Sequence, residues 1–166
     1  TVKEINRLLE AGNAREKVLV LLAADGGLRL AEATGLEWAD VDLERRRLLI
    51  RGKGGKLRRP ALTGRCARTL EGLRSQSGGQ GAVFEPSRRR IQQIFDRLCE
   101  KAGVRGRGYH NLRHSCGTRL YRETHDLLAV ARHLVHATTK TSELYAQLAD
   151  TDYRKAVEAL ERNGVD

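Results

Sequence analysis

The spacing of apolar residues changes several times along this chain, and each change marks an element. "TVKEINRLLE" opens with Thr1 and, three residues later, Glu4, the spacing of a capping box, which predicts a short helix to about Glu10. From Asn13 to Ala24 apolar residues crowd together at Val18, Leu19, Leu21 and Leu22, which reads as a buried helix ended by Gly26 and Gly27. A brief helix is expected over Leu30–Thr34. "RRLLIRGKGGKLRRPAL" then places two short runs around a turn containing Gly52, Gly54 and Gly55, the pattern of a β-hairpin, and an extended piece near Val41 supplies a third strand.

Beyond Thr63 the helical period returns. "TGRCARTLEGL" is one helix and "SGGQG" a loop. Ser87 is placed to cap a helix whose apolar face is Ile91, Ile94, Phe95, Leu98 and Ala102, closed by Gly103. After the "RGRG" loop, helices are predicted from about Asn111, Asp126, Thr138 and Asp152. The fold class is therefore α+β and mainly helical, with a small three-stranded antiparallel sheet, in one domain across residues 1–166.

Composition adds a direction. Aromatic residues make up 4% of the chain, so the core must rest on Leu, Val, Ile and Ala. Lys and Arg number 31 against 21 Asp and Glu, and the net charge of +10 favours a polyanionic partner. Cys66, Cys99 and Cys116 are far apart and none has metal-ligand spacing, so buried thiols in a reducing compartment are expected, with no metal site. No apolar run reaches the length of a membrane span and no signal peptide is visible.

Against that charge, a few residues stand out. Arg29 follows a glycine turn at a helix start, where a cation opposes the helix dipole unless its side chain swings away or meets an anion, and Glu32 is placed to orient it. Lys53 sits at the hairpin tip, with Arg51, Lys56, Arg58 and Arg59 along the arms. Such a hairpin is either a solvated, edge-protecting one or carries a lysine that donates a proton near a phosphate. His110 and Arg113 form H-x-x-R on one helix face, while His114 is one residue step from Arg113 and is expected to point elsewhere.

His136 and Tyr145 are nine residues apart and would face opposite ways on one continuous helix, but Thr138 and Thr139 offer a break between two helices. Tyrosine, with a pKa near 10, attacks only a strongly activated electrophile, such as a phosphodiester held by two arginines. Tyr109, Tyr121 and Tyr153 lack that setting.

In order and spacing these pieces resemble the tyrosine recombinase (phage-integrase-type) family, whose catalytic pattern is Arg, Lys, His-x-x-Arg, His or Trp, then Tyr. The matching stretches are "GLRLAEATGLEW", "RGKGGKLRRPAL", "YHNLRHSCGTRL" and "HLVHATTKTSELY", and the spacing to Tyr145 selects His136 over His133. The resemblance implies a catalytic domain, without the N-terminal core-binding domain that family members usually carry. It implies Tyr145 as nucleophile forming a 3′-phosphotyrosyl bond, Arg29 and Arg113 on the non-bridging oxygens, Lys53 as proton donor, His110 in proton transfer and His136 in phosphate support. No metal, ATP or other cofactor is called for.

The implied partner is double-stranded DNA, with a homotetramer on paired sites and a monomer as the isolated domain without DNA. The implied location is cytoplasmic, in a bacterial, archaeal or phage-encoded setting. Arg88, Arg89, Arg90, Gln92 and Gln93 lie off the apolar stripe of their helix and, with Arg51 and Lys56, are the candidate DNA contacts, to base edges or phosphates. A type IB topoisomerase shares this style of site, and a DNA-binding module that has lost catalysis is a further alternative. The "TGLEW" and "GKGGKLR" stretches lean towards a recombinase, and all six catalytic positions are filled. Tyr145 is expected to be mobile or docked inactively when DNA is absent.

Overall fold

The computed structural model describes residues 1–51, 57–85, 87–104 and 108–134. The hairpin tip with Lys53 and Lys56, the helices expected from Thr138 and Asp152, and His136, Tyr145 and Tyr153 lie outside the described residues.

Helix α1 (Val2–Ala11) begins with the expected capping box: the Glu4 amide donates to Thr1 Oγ1 and the Glu4 carboxylate accepts from Thr1. Helix α2 (Ala14–Ala24) repeats the device with Asn13 and Glu16. Each such cap contributes about 1 kcal/mol. α2 is the centre of the fold. From Val18 to Ala24 every side chain is buried, because α1, α4 and α6 pack around it and leave no face for solvent.

α2 ends in a tight turn. Gly27 has φ +64, and a Cβ there would overlap Leu134 Cδ2, so only glycine lets the later helix α7 approach this turn. α3 (Leu30–Thr34) follows, then a 3₁₀ turn (Trp38–Asp40) whose Trp38 and Asp40 are buried.

The β region has four two-residue strands: β1 (Val41–Asp42), β2 (Arg47–Leu48), β3 (Ile50–Arg51) and β4 (Leu57–Arg58). The expected strand near Val41 is β1 and pairs antiparallel with β2, while β3 pairs antiparallel with β4. The three-stranded ladder is thus split into two pairs. The break falls at Leu49, whose amide turns away to donate to Asp40 O, while Arg47 bridges to Ala61 on the other side.

Register corrects one sequence-based reading. Arg58, expected as a solvated cation on a hairpin arm, is 6% exposed, whereas Leu57 is 59% exposed. Arg58 lies opposite Ile50, and Ile50 faces the core. Strand parity, rather than polarity, decides which of the two residues goes inside.

α4 (Gly64–Ser77) is capped by Thr63 and closed by Gly78 in the left-handed conformation. α5 (Arg88–Lys101), capped by Ser87, buries Ile91, Phe95 and Leu98, with Ile94 and Ala102 half-buried against the same core. α6 (Tyr109–Thr124) starts two residues before the expected position. Tyr109 packs edge-on against Phe95, and its hydroxyl donates to Leu19 O at 3.1 Å. α7 (Leu127–Leu134) is capped by the Asp126 carboxylate, and Val130 and Leu134 pack with Cys116 and Tyr121 in a second small core. The three cysteines are buried and unbridged, and burial pushes the Cys66 thiol up to about 12 and those of Cys99 and Cys116 to about 11, so all remain protonated. Among the described residues no helix is long and apolar enough to cross a membrane.

Asp25, at the C-terminal end of α2, holds three elements together. Its carboxylate accepts from Arg65 Nε and Nη2 at 2.6 Å each, from Thr63 at 2.8 Å and from Arg119 at 3.0 Å. Burial alone would raise the Asp25 carboxyl, but these hydrogen bonds outweigh it and hold the pKa below its usual value. Asp25→Asn removes the shared anion and leaves two guanidiniums, each about a third exposed, to find other partners. The expected loss is about 2–3 kcal/mol, less than for a fully buried pair, measured as a lower urea midpoint at unchanged slope.

Candidate phosphate-binding site

The site grows from the turn after α2. Arg29 is the N-cap residue of α3, with extended φ and ψ of −73 and 155. A cation here opposes the helix dipole, and Glu32 offsets that cost. Its Oε2 accepts from the Arg29 amide at 2.8 Å and its Oε1 pairs with Arg29 Nη1 at 3.1 Å. The Arg29 side chain is thereby pinned while still 39% exposed.

Two further guanidiniums meet Glu32 from distant parts of the chain. Arg58 Nη2, on β4, lies 2.6 Å from Glu32 Oε2, and Arg113 Nη1, on α6, lies 3.9 Å from the same oxygen. Burial would raise the Glu32 carboxyl, but the Arg29 amide and the charges of Arg58 and Arg113 win, so it lies below its usual range and is ionised. Among the described residues, one half-buried carboxylate with three arginines leaves a local excess of positive charge, and an anion would neutralise it.

Arg113 is 5% exposed and is held by backbone. Nη1 donates to Gly27 O and Nη2 to Leu134 O, the latter at 2.7 Å. His110, one turn earlier on α6, is at the surface. His114 does not point away from it as expected: the two rings meet edge-on with centroids 4.5 Å apart. His114 is one step from Arg113 but four residues from His110, which places it one turn along the same side. Partial desolvation, then the charges of His114, Arg113 and Arg29, lower His110 below the ordinary imidazole value, so it is a neutral imidazole near pH 7. Arg29 and Arg113 are thus both close enough to act on His110.

Residues the sequence reading passed over complete the framework. His133 Nε2 lies 2.9 Å from Asp25 O, Arg58 Nη1 donates to His133 O at 3.0 Å, and Arg119 donates to Ala24 O. An arginine between two apolar runs, or a histidine late in a helix, carries no sign of these partners, which lie 75 or more residues away. The candidate DNA contacts divide. Arg88, Arg89 and Arg90 are exposed, Arg90 reaches Gln93 at 3.5 Å, and half-buried Gln92 donates to Asp96 at 2.8 Å. Arg51 is exposed and pairs with Asp40 at 2.9 Å. Tyr109 and Tyr121 are buried, and burial raises the Tyr109 hydroxyl far above its usual pKa.

The phage integrase family profile matches residues 1–152. Tyrosine recombinase XerD of Mycobacterium tuberculosis is 32% identical over 170 residues, covering 87% of this chain and 55% of the relative. Tyrosine recombinase XerA of Thermococcus kodakarensis is 32% identical over 172 residues, covering 95% and 61%. The crystal structure of XerA recombinase matches 100% of this chain and 65% of its own, with TM-score 0.80 at 24% identity. The catalytic domain of bacteriophage HP1 integrase matches 95% and 92%, with TM-score 0.73 at 20% identity. XerH site-specific recombinase bound to difH substrate in a pre-cleavage complex matches 87% and 47%, with TM-score 0.71 at 28% identity.

These likenesses define the class, a domain with the tyrosine recombinase catalytic fold. The chain belongs to the phage integrase family, and it spans little more than half the length of the curated relatives it matches.

His133 makes stability pH-dependent. Burial is the main cause lowering its pKa, aided by Arg58 and Arg113 and opposed by its hydrogen bond to Asp25 O. A histidine depressed in the folded state is protonated more readily in the unfolded chain, so stability is full above the ordinary value near 6.5 and falls as pH drops below it. The melting temperature should fall between pH 7.5 and 5.5. The fall should be smaller in His133→Gln, whose amide can donate to Asp25 O without titrating.

Proposed function

We propose that this chain is the catalytic part of a site-specific DNA recombinase that cuts and rejoins strands through Tyr145. The observation that carries this reading is the convergence of Arg29 and Arg113 on Glu32, with His110 electrostatically coupled to both. Family membership and the relatives named tyrosine recombinases support it, as does a similar recombinase seen bound to its DNA substrate.

In this reading the scissile phosphate of double-stranded DNA sits against Arg29 and Arg113, whose guanidiniums bind its non-bridging oxygens and stabilise the charge that builds there. The Tyr145 hydroxyl attacks phosphorus and passes its proton towards His110. The bond from phosphorus to the 5′-oxygen breaks, and Lys53 protonates that oxygen. The product is a 3′-phosphotyrosyl bond and a 5′-hydroxyl, with His136 supporting the phosphate. A 5′-hydroxyl of a partner strand reverses the chemistry and rejoins the DNA, so the phosphodiester bond energy is kept in the covalent intermediate. Glu32 orients the arginines and touches no DNA. Arg51, Lys56, Arg88, Arg89, Arg90, Gln92 and Gln93 contact the duplex outside the cut. Strand exchange takes place in a homotetramer on paired sites, in the cytoplasm.

A nicked substrate that releases the cut fragment should trap a covalent protein–DNA adduct on a denaturing gel. Tyr145→Phe should abolish it, and an equal adduct from that variant would overturn the assignment. Arg113→Ala should slow adduct formation about 10²–10³-fold, read in single-turnover time courses. The lowered pKa of His110 adds a pH signature. As proton acceptor it must be neutral, so the cleavage rate should be flat above pH 7 and fall only below the ordinary imidazole value. His110→Gln should remove that inflection.

A further inference from the structure

We propose that Arg58 is a positioning residue for strand cleavage: it meets Glu32 Oε2 more closely than Arg113 does, leaving more of the Arg113 charge for the phosphate, and it fastens α7 at His133. The proposal rests on the cleavage reading above. It concerns a residue with no role in the catalytic pattern, on a strand that polarity alone would have placed in solvent.

Three observations carry it. The first is the ranking of distances around Glu32. Arg58 makes the tight pair at 2.6 Å, whereas Arg113 stands at 3.9 Å from the same oxygen. Of two cations facing one carboxylate oxygen, the nearer interacts with it more strongly. Without Arg58, Glu32 Oε2 would draw on Arg113, and that guanidinium would lose much of its pull on an incoming anion.

The second is the fork itself. Nη2 meets Glu32 while Nη1 donates to His133 O at 3.0 Å, so one rigid plane links β4 to α3 and to the last described turn of α7. Arg113 donates to the next carbonyl, Leu134 O. The two arginines therefore take the carbonyls of two consecutive residues on α7. A lysine has the charge but not the fork.

The third is cost. The Arg58 side chain is 5% exposed, and its buried Nε has no hydrogen-bond partner among the described residues. A buried ion pair is weak support for stability, and an aliphatic side chain of similar volume often serves as well or better. Stability alone does not account for a cation here.

The test uses the full-length protein and two DNA substrates, one with an ordinary scissile phosphodiester and one with a methylphosphonate there. Methyl in place of a non-bridging oxygen removes the negative charge that the arginines meet. Arg58→Met should slow cleavage of the phosphodiester about 10²-fold and Arg58→Lys about tenfold. Both should slow the methylphosphonate less than about threefold, at DNA affinity unchanged within the same factor. A merely structural arginine would slow both substrates equally, and that result, or full activity of Arg58→Met on the phosphodiester, overturns the proposal. Should Arg58→Met not fold, Arg58→Lys alone must show the same inequality.

If the unsubstituted protein forms no adduct with either substrate, the cleavage reading fails instead. Amide exchange still reads the tie: Arg58→Lys should speed exchange over Val130–Leu134 and leave α1 unchanged, and unchanged exchange at α7 overturns it.

Discussion

The last carbonyls of α2 are the constraint on which the rest depends. A helix cannot satisfy its own C-terminal carbonyls, and this one ends in the interior with a glycine turn that admits no side chain over it. Amides of the turn take Leu21, Leu22 and Ala23 O, and α6 and α7 supply the donors for the carbonyls that follow. Arg119 takes Ala24 O, Cys116 and His133 take Asp25 O, and Arg113 takes Gly27 O. The negative end of a buried helix dipole thus meets guanidinium groups, which is favourable and directional. Satisfying these groups sets the position of α6, brings Leu134 against Gly27 and fixes the turn from which Arg29 departs.

The same packing concentrates charge. Asp25 anchors Arg65 and Arg119, and Glu32 anchors Arg29, Arg58 and Arg113. Among the described residues, two carboxylates with five arginines leave a surplus of three positive charges around one end of α2. Each buried carboxylate is stabilised in its ionised form, so the surplus persists at neutral pH. A neutral imidazole at His110 fits that field, because protonating it would add another cation beside Arg113 and Arg29. A site built this way presents donors that the fold holds in place before any ligand arrives.

Much of the architecture was readable from local pattern. The capping box of α1, the Ser87 cap, the amphipathic face of α5 and the strand at Val41 depend on contacts a few residues apart, and a one-dimensional pattern reports such contacts well. Arg58, His133 and the Asp25 cluster were not readable in that way. Their partners lie 26 to 108 residues away, and nothing in the neighbouring sequence marks them. The side of α6 that His114 shares with His110 was missed for a simpler reason: helical neighbours are three or four apart, so the step to Arg113 was the wrong one to count.

The sequence by itself determined the helical class, the basic character and the residue types able to handle a phosphate, because periodicity and composition are local properties. It also carried Arg29 with Glu32, a pair made within one helical turn. Only the tertiary structure decided that Glu32 would serve three arginines, that Arg58 would be buried while Leu57 is exposed, and that His133 and Leu134 of α7 would meet Arg58 and Arg113. The reason is physical. Strand register and the meeting of α2 with α6 and α7 are set by burying the whole chain at once, and a buried charge finds its partner only after that burial has brought distant segments together.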